Sequence, residues 1–271
     1  MPDGVTPIMG LELSGTVAAL GEGVSGFALG DPVCALTDGG AYAQYCAVKA
    51  LPLPAGYSLQ EAAMLPETLF TVWANLFIDG QMRAGETLLV HGGTSGIGIT
   101  ALAIARALGI RTLATVGNAE KMRVVEQYGA IAVNYKTDDF APAVKQHGGA
   151  DGILDVVGGS YVAQNLDCLN KDGRIFLIGF MGGNIAPEVN LLKIAVKRAH
   201  ITGSTMRGRN SAEKAAIAQS LREHVLPLLA SRRIAKPHLH RVYPWTEVAA
   251  AHAEMDKGTH IGKVLLDFTQ G

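Results

Sequence analysis

From Glu86 onward the chain alternates short apolar runs with helical patterns, and the first junction between them is a glycine-rich turn, "VHGGTSGIG" at 90–98. The runs are "ETLLVHGG" (86–93), "RTLATVG" (111–117), "AIAVNY" (130–135), "GILDVVGG" (152–159), "GRIFLIGF" (173–180) and "AHITGST" (199–205). Between them lie helical stretches from Gly96 to Leu108, then "AEKMRVVEQYG", "DDFAPAVKQHG", "SYVAQNLDCLN" and "LLKIAVKR". Strands separated by helices of this length form βαβ units, whose crossovers are right-handed and whose sheet is parallel. Six such strands predict an α/β fold with a doubly wound parallel sheet in the dinucleotide-binding order.

The glycine turn has the context that phosphate binding requires, an apolar strand before it and a helix, "ITALAIARALG", after it. Gly96 and Gly98 let the backbone approach a pyrophosphate, and the helix N-terminus offers N–H groups and a positive dipole end. A Walker loop would need Gly-Lys-Ser/Thr at its end; here Gly98 is followed by Ile99, which excludes phosphoryl transfer on this loop. The second strand ends in "TVGNAEK". Enzymes that use NAD place Asp or Glu there to accept the ribose 2′-OH. This chain has Gly117 and Asn118, with Lys121 one helical turn on, a combination that suits a 2′-phosphate. "NYK" at 134–136 adds Tyr135 as a platform for that ribose phosphate, so the expected cofactor is NADPH.

The flanks have a different texture. Residues 1–57 are rich in Gly, Pro and short apolar runs, and "ELSGTVAALGEGV", "GDPVCAL" and "AYAQYCAVKA" (41–50) read as strands. "SLQE" at 58–61 has the spacing of a capping box, and "ETLFTVWANLF" restarts a helix after Pro66. After Met206 the alternation stops. "SAEKAAIAQSLREHVLPLL" reads as one amphipathic helix with Ile217, Leu221, Val225 and Leu229 on its apolar face, and "HRVYPW" and "GKVLLDF" read as strands around a short helix. The expected domains are a β-rich first segment (1–65), the nucleotide-binding domain (66–206) and a return to the first domain (207–271).

Net charge is −1 with 17% charged residues, and "SRRIAKPHLHR" (231–241) is a solvated helix end rather than the basic face of a nucleic-acid binder. Cys34, Cys46 and Cys168 form no CxxC pair, which argues against a disulfide framework or a cysteine-built zinc site. The N-terminus has no signal-peptide pattern and no apolar run approaches a membrane span, so a reducing, cytoplasmic setting is expected.

Two enzyme families share this glycine loop. Short-chain dehydrogenases open with it and place Tyr-x-x-x-Lys well after it; here the one such pair, Tyr45 and Lys49, lies upstream, which rejects that family. "GLELSGTVAALGEGVSGFALGDPV" (10–33) resembles the Gly-x-Glu-x-x-Gly hallmark of the medium-chain dehydrogenase/reductase family. "GAYAQY", "ETLFTVW", "NYK", "GGSY" and "HIGKVLL" resemble its zinc-free quinone oxidoreductase branch, in particular the subgroup that includes the p53-inducible quinone reductase. The resemblance covers essentially the whole chain. It implies a Rossmann domain inserted in a partial, β-rich GroES-like catalytic domain.

It also implies cofactor positions. Thr94, Ser95, Gly96 and Ile97 match the pyrophosphate site, and Gly117, Lys121 and Tyr135 match the 2′-phosphate pocket. Gly158, after the fourth strand, falls at the carboxyl edge of the sheet where ligands gather, Phe180 and Met181 match the nicotinamide end, and Thr71 is a further candidate contact there. Zinc enzymes of the family carry a His ligand between the Gly and Glu of the hallmark; Leu11 stands there, and "HLH" (238–240) lacks a third ligand nearby, so no metal is expected. No general acid or nucleophile triad stands out, as suits hydride transfer to a quinone or to the β-carbon of an α,β-unsaturated carbonyl. The residues above the nicotinamide in family members precede the stretch matched by "PDGVTPIMGLE". The resemblance therefore leaves a second expectation, an NADPH-binding protein with weak or no catalysis. Family members pair through the sixth strand, so "AHITGST" implies a homodimer.

Overall fold

The computed structural model describes residues 6–269. The chain divides into two compact units, one made of the chain up to Phe70 together with Ser211 onward, the other of Thr71–Asn210. Residues 1–5, which include the start of the "PDGVTPIMGLE" stretch, lie outside the described residues.

In the first unit, β1 (Glu12–Thr16), β2 (Pro32–Leu36) and β3 (Leu51–Pro52) form an antiparallel sheet in that order. Cys34 and Ala35 of β2 and Leu51 of β3 are buried in its core. Residues 41–50, expected as a strand, form none. The amides of Ala41 and Tyr42 bond the carbonyls of Gly10 and Met9 (3.3 and 2.9 Å), after which the segment leaves the sheet and Tyr45 is exposed. The capping box forms as expected at α1 (Leu59–Ala63): the Ser58 hydroxyl accepts from Glu61 N–H (3.2 Å) and Glu61 accepts from Ser58 N–H (2.9 Å). α2 (Pro66–Val72) starts on Pro66, where a missing N–H costs nothing.

The helix continues as a π-helix, Trp73–Asp79, which opens the second unit. There the Asn75 side-chain amide donates to Thr71 O (2.8 Å), taking the carbonyl that an α-helical N–H would use, and Ser204 Oγ donates to Asn75 Oδ1 (2.8 Å). The six strands are β4 (Thr87–His91), β5 (Arg111–Val116), β6 (Ile131–Asn134), β7 (Ala150–Asp155), β8 (Leu169–Leu177) and β9 (His200–Gly203). They are all parallel, in the order β6-β5-β4-β7-β8-β9, as the alternation predicted. The fifth strand starts earlier than expected and ends at Leu177, which leaves Phe180 in the following loop.

Helices α3 (Gly96–Ala107), α4 (Ala119–Gln127), α5 (Phe140–Gln146), α6 (Tyr161–Cys168) and α7 (Leu191–Lys197) connect the strands. Leu88, Leu89 and Val90, Leu113 and Ala114, Ile153 and Leu154, and Ile175 and Phe176 are almost fully buried. Strands covered on both faces read as such continuous apolar runs. α3 packs small residues, Ala101, Ala103 and Ala105, among Leu102 and Ile104, all buried.

The chain then returns to the first unit. The expected single helix is two, α8 (Ser211–His224) and α9 (Leu226–Ala230), broken at Val225 before Pro227. Proline removes a backbone donor and clashes with the preceding turn. The apolar positions Ile217, Leu221, Val225 and Leu229 are nonetheless all buried across the break. β10 (Leu239–Pro244) and β11 (Lys263–Asp267) pair in parallel around α10 (Val248–Asp256).

Lys263 joins the beginning and end of this unit. Its ammonium donates to Glu12 of β1 and to Glu67 of α2 (3.2 Å), while Glu67 N–H donates to Glu12 Oε2 (3.0 Å). Burial alone would lower Lys263, but Glu12 and Glu67 outweigh it and hold the ammonium charged above its ordinary range. Burial also pushes the Glu12 carboxyl up, against the pull of Lys263. Among the described residues no helix is long and apolar enough to cross a membrane.

Candidate functional site

The strand order of the second unit reverses between β4 and β7, and open α/β sheets bind ligands at the carboxyl ends of the strands at that point. The glycine loop leaves β4 there. Ser95 caps α3, accepting from Gly98 N–H at 2.9 Å, and the first i→i−4 bond runs from Ile99 N to Ser95 O (2.9 Å). The Ser95 oxygen is thus spent on Gly98 N–H, which withdraws that group from an incoming anion. The N–H groups of Gly96 and Ile97 precede the first helical bond and point out of the helix end, where an anion is favoured. Gly98 is a contact glycine: a Cβ there would lie 2.5 Å from Gly92 O and 2.7 Å from Gly93 C. Thr94 is buried within the loop.

β5 delivers Gly117 and β6 delivers Tyr135 to one place. A Cβ on Gly117 would lie 2.9 Å from the Tyr135 hydroxyl and 3.4 Å from Lys136 Cε. Asn118 caps α4 by accepting Lys121 N–H (2.8 Å), which brings Lys121 to the same end. Partial burial lowers the Lys121 ammonium, and the nearby Lys136 lowers it further, with Glu120 opposing. The Lys136 ammonium is thus close enough to be felt at Lys121, an arrangement that suits an anion. Sequence reasoning quoted "NYK" but passed over Lys136. The readable signal was Asn134, whose Oδ1 accepts Lys136 N–H (3.1 Å) in an Asx turn that folds the chain back on itself.

After β7, Gly158 adopts φ +64°, in the left-handed region, and its N–H donates to Asp155 Oδ1 (2.9 Å). The turn is zipped to the loop after β8 by Met181 N to Val156 O (3.2 Å) and Gly182 N to Val157 O (2.7 Å). Phe180 and Met181 are exposed, Met181 by 87%, so they are not core residues. Thr71 is buried on the helix that opens the unit, where its carbonyl serves Asn75. Its helical position does not by itself bring it to the loops. The structure therefore gathers the other candidates into three neighbourhoods, at the ends of β4, of β5 with β6, and of β7 with β8.

Sequence reasoning also missed a buried polar chain at the switch point. His91, Thr115, Asn165 and Asp155 are each at most 1% exposed. The signal was a histidine and an aspartate closing otherwise apolar strands, "TLLVH" and "GILD". Phe140 and Tyr161 pack edge-on against His91, with ring centroids 4.8 and 4.9 Å away. Burial holds His91 below its ordinary value, against the pull of Asp155, so the imidazole is neutral at pH 7. His238 and His240, in the first unit, belong to no group of three or more potential ligands; none exists among the described residues.

Residues 96–222 match the family model described as zinc-binding dehydrogenase, and residues 1–67 match the alcohol dehydrogenase GroES-like domain. The quinone oxidoreductase of Rattus norvegicus is 30% identical over 95% of this chain and 78% of its own length. The crystal structure of Escherichia coli quinone oxidoreductase complexed with NADPH superposes with a TM-score of 0.81 at 27% identity, covering 96% of this chain and 82% of that one. An NAD-dependent alcohol dehydrogenase superposes with a TM-score of 0.83 at 27% identity, covering 96% and 82%. The chain belongs to the quinone oxidoreductase branch of the nicotinamide-dependent medium-chain dehydrogenase/reductase family and is an oxidoreductase.

Proposed function

We propose that this protein is an NADPH-dependent, zinc-independent reductase of quinones or α,β-unsaturated carbonyls. The observation that carries the reading is the cluster at the end of β5 and β6, where Lys121, Lys136 and Tyr135 meet around Gly117 in place of a carboxylate. A 2′-phosphate is matched by two ammonium groups and a phenol, and an acidic residue there would serve the 2′-OH of NADH instead.

The chain fits a dinucleotide along the whole carboxyl edge of the sheet. Gly96 and Ile97 would hold the pyrophosphate with their N–H groups beside Thr94 and Ser95, in a loop that Gly98 keeps packed against the backbone of Gly92 and Gly93. Lys121, Lys136 and Tyr135 would hold the 2′-phosphate, and the Gly158 turn with Phe180 and Met181 would flank the nicotinamide. Bound there, the cofactor supplies the hydride. The protein's part is to orient it and to offer apolar side chains that exclude water, as two-electron reduction by a nicotinamide requires.

Leu11 supports zinc independence, because it stands where zinc enzymes of the family place a ligand. The next residue, Glu12, is already engaged by Lys263 and by Glu67 N–H. Burial pushes the Cys34 and Cys168 thiols up to about 12, and neither cysteine belongs to a group of three or more potential ligands among the described residues.

A homodimer formed along β9 accompanies this reading. α7 carries Leu191, Leu192 and Val196 exposed by 73%, 67% and 65%. The helix cannot roll to bury them, because Lys193 is bound to Asp167 and Lys197 to the carbonyls of Asp167 (3.0 Å) and Leu169. Beside it, β9 is an edge strand. An exposed apolar helix next to an open strand edge suits a second copy of the chain.

The test is steady-state turnover with ortho-quinones, para-quinones and small enones, each with NADPH and with NADH. The reading expects turnover of at least one class with NADPH preferred. Binding of NADPH with no turnover of any class would make the protein a cofactor-binding one without this activity.

A further inference from the structure

The buried chain at the switch point has a direction. Asp155 Oδ1 accepts the N–H groups of Val157 (2.6 Å) and Gly158 (2.9 Å), and its Oδ2 accepts Asn165 Nδ2 (2.8 Å). A carboxylate only accepts, so Asn165 must turn its amide toward Asp155 and its Oδ1 toward His91 Nε2, 2.7 Å away. Oδ1 only accepts, so Nε2 must carry the proton. A neutral imidazole has one proton, so Nδ1 is bare and accepts from the Thr115 hydroxyl at 3.0 Å. One charged end therefore fixes every donor and acceptor across β7, α6, β4 and β5.

The two ends of this chain meet the two halves of the cofactor site. His91 is covalently followed by Gly92, the first residue of the glycine loop, and Gly93 N–H bonds Thr115 O (3.1 Å). Asp155 holds the turn that is zipped to Phe180 and Met181. A Cβ on Gly92 would lie 3.2 Å from Val156 Cγ2, so the two loops lie side by side.

We propose that Asp155, Asn165 and His91 are positioning residues that register the glycine loop against the turn at Gly158, and so fix the distance between the pyrophosphate and nicotinamide ends of the bound cofactor. The inference rests on the NADPH-binding reading above. A set of satisfied buried hydrogen bonds is suited to such a role, because it can hold two loops in one register without touching the ligand.

The direction gives the proposal a spectroscopic readout that packing alone would not move. In Asp155→Asn the new amide must keep its oxygen on the Val157 and Gly158 N–H groups and present its NH2 to Asn165. Asn165 then reverses, its NH2 faces His91 Nε2, and the imidazole proton moves to Nδ1, where it donates to Thr115. Nitrogen-15 NMR of the full chain should show the Nε2–H tautomer of His91 in wild type and the Nδ1–H tautomer in Asp155→Asn. Asp155→Asn keeps every bond of the chain and so keeps the loops in register; Asn165→Ala cuts the chain between Asp155 and His91 and should bind NADPH at least about tenfold more weakly than wild type, with the fragment 2′,5′-ADP held as before.

An unchanged tautomer in Asp155→Asn, or equal losses for NADPH and 2′,5′-ADP in Asn165→Ala, would overturn the proposal. Thr115→Val serves if Asp155→Asn does not fold: with the direction set by Asp155, His91 keeps the Nε2–H tautomer, and a switch to Nδ1–H would refute it. Wild-type protein that binds neither NADPH nor NADH would instead overturn the cofactor reading, and the positioning role with it.

Discussion

Gly98→Ala separates binding from folding. The substitution is mild by every local measure, because Gly98 lies in α3 and alanine favours a helix over glycine by about 1 kcal/mol. The structure leaves no room for it. The added methyl would sit 2.5 Å from Gly92 O and 2.7 Å from Gly93 C and O, and all three are backbone atoms that cannot swing aside as a side chain would. To reach 3.0 Å the helix and the loop must part by about 0.5 Å or more, an overpacking strain of roughly 1–3 kcal/mol. Set against the helix gain, the net loss of stability is about 0–2 kcal/mol. The parting falls on the N–H groups of Gly96 and Ile97, and losing one or two charge-assisted bonds at about 1.5–3 kcal/mol each weakens NADPH by tenfold or more. Isothermal titration with NADPH and a thermal melt on the same preparation read both quantities. NADPH affinity within about twofold of wild type, with the fold intact, would refute the cradle.

Other outcomes follow from the same structure. Lys263→Met leaves Glu12 and Glu67 facing one another without a counter-charge, and denaturant unfolding should show a loss of about 3–5 kcal/mol; a loss under about 1 kcal/mol would mean the cluster is idle. His91 takes a proton less readily folded than unfolded, so its contribution is complete above about pH 6.5 and is lost as pH falls below it. The stability of wild type should therefore drop below that pH by up to about 1.4 kcal/mol per unit more steeply than that of His91→Gln, and parallel slopes would contradict the buried neutral imidazole. Leu192→Asp with Val196→Asp should convert a dimer to monomers in sedimentation velocity at unchanged thermal stability; a persistent dimer would move the interface away from α7.

The sheet was legible because its strands are covered on both faces, so runs such as "LLV" (88–90) and "IFLI" (175–178) are apolar without interruption. The segment 41–50 misled because a short apolar run is compatible with a strand but does not supply a partner; its amides at Ala41 and Tyr42 find Gly10 and Met9, and the segment joins no sheet among the described residues. The break at Val225 was written in Pro227, yet the four-residue spacing of buried positions continues through it and hides the kink. The π-helix was not read from the sequence; the Asn75 side chain that takes the Thr71 carbonyl there is met by Ser204 from the other end of the unit.

The site was legible in the same proportion. The glycine loop and Gly117 declare themselves through residue type, because only glycine fits beside another backbone or under Tyr135. Lys136 and the His91–Asn165–Asp155 chain do not, because their meaning comes from which strand ends lie side by side. That order of strands is a tertiary fact, and residues 91, 155 and 165 are not neighbours in the chain.

Equilibrium binding of NADPH and NADH to the intact protein, repeated on Lys121→Met with Lys136→Met, bears most directly on the cofactor. The cluster at Gly117 predicts that wild type binds NADPH at least about tenfold more tightly than NADH, that added salt erodes the difference, and that the double variant abolishes it while leaving NADH unchanged. Equal or tighter binding of NADH by wild type would contradict the assignment of Lys121, Lys136 and Tyr135 to a 2′-phosphate.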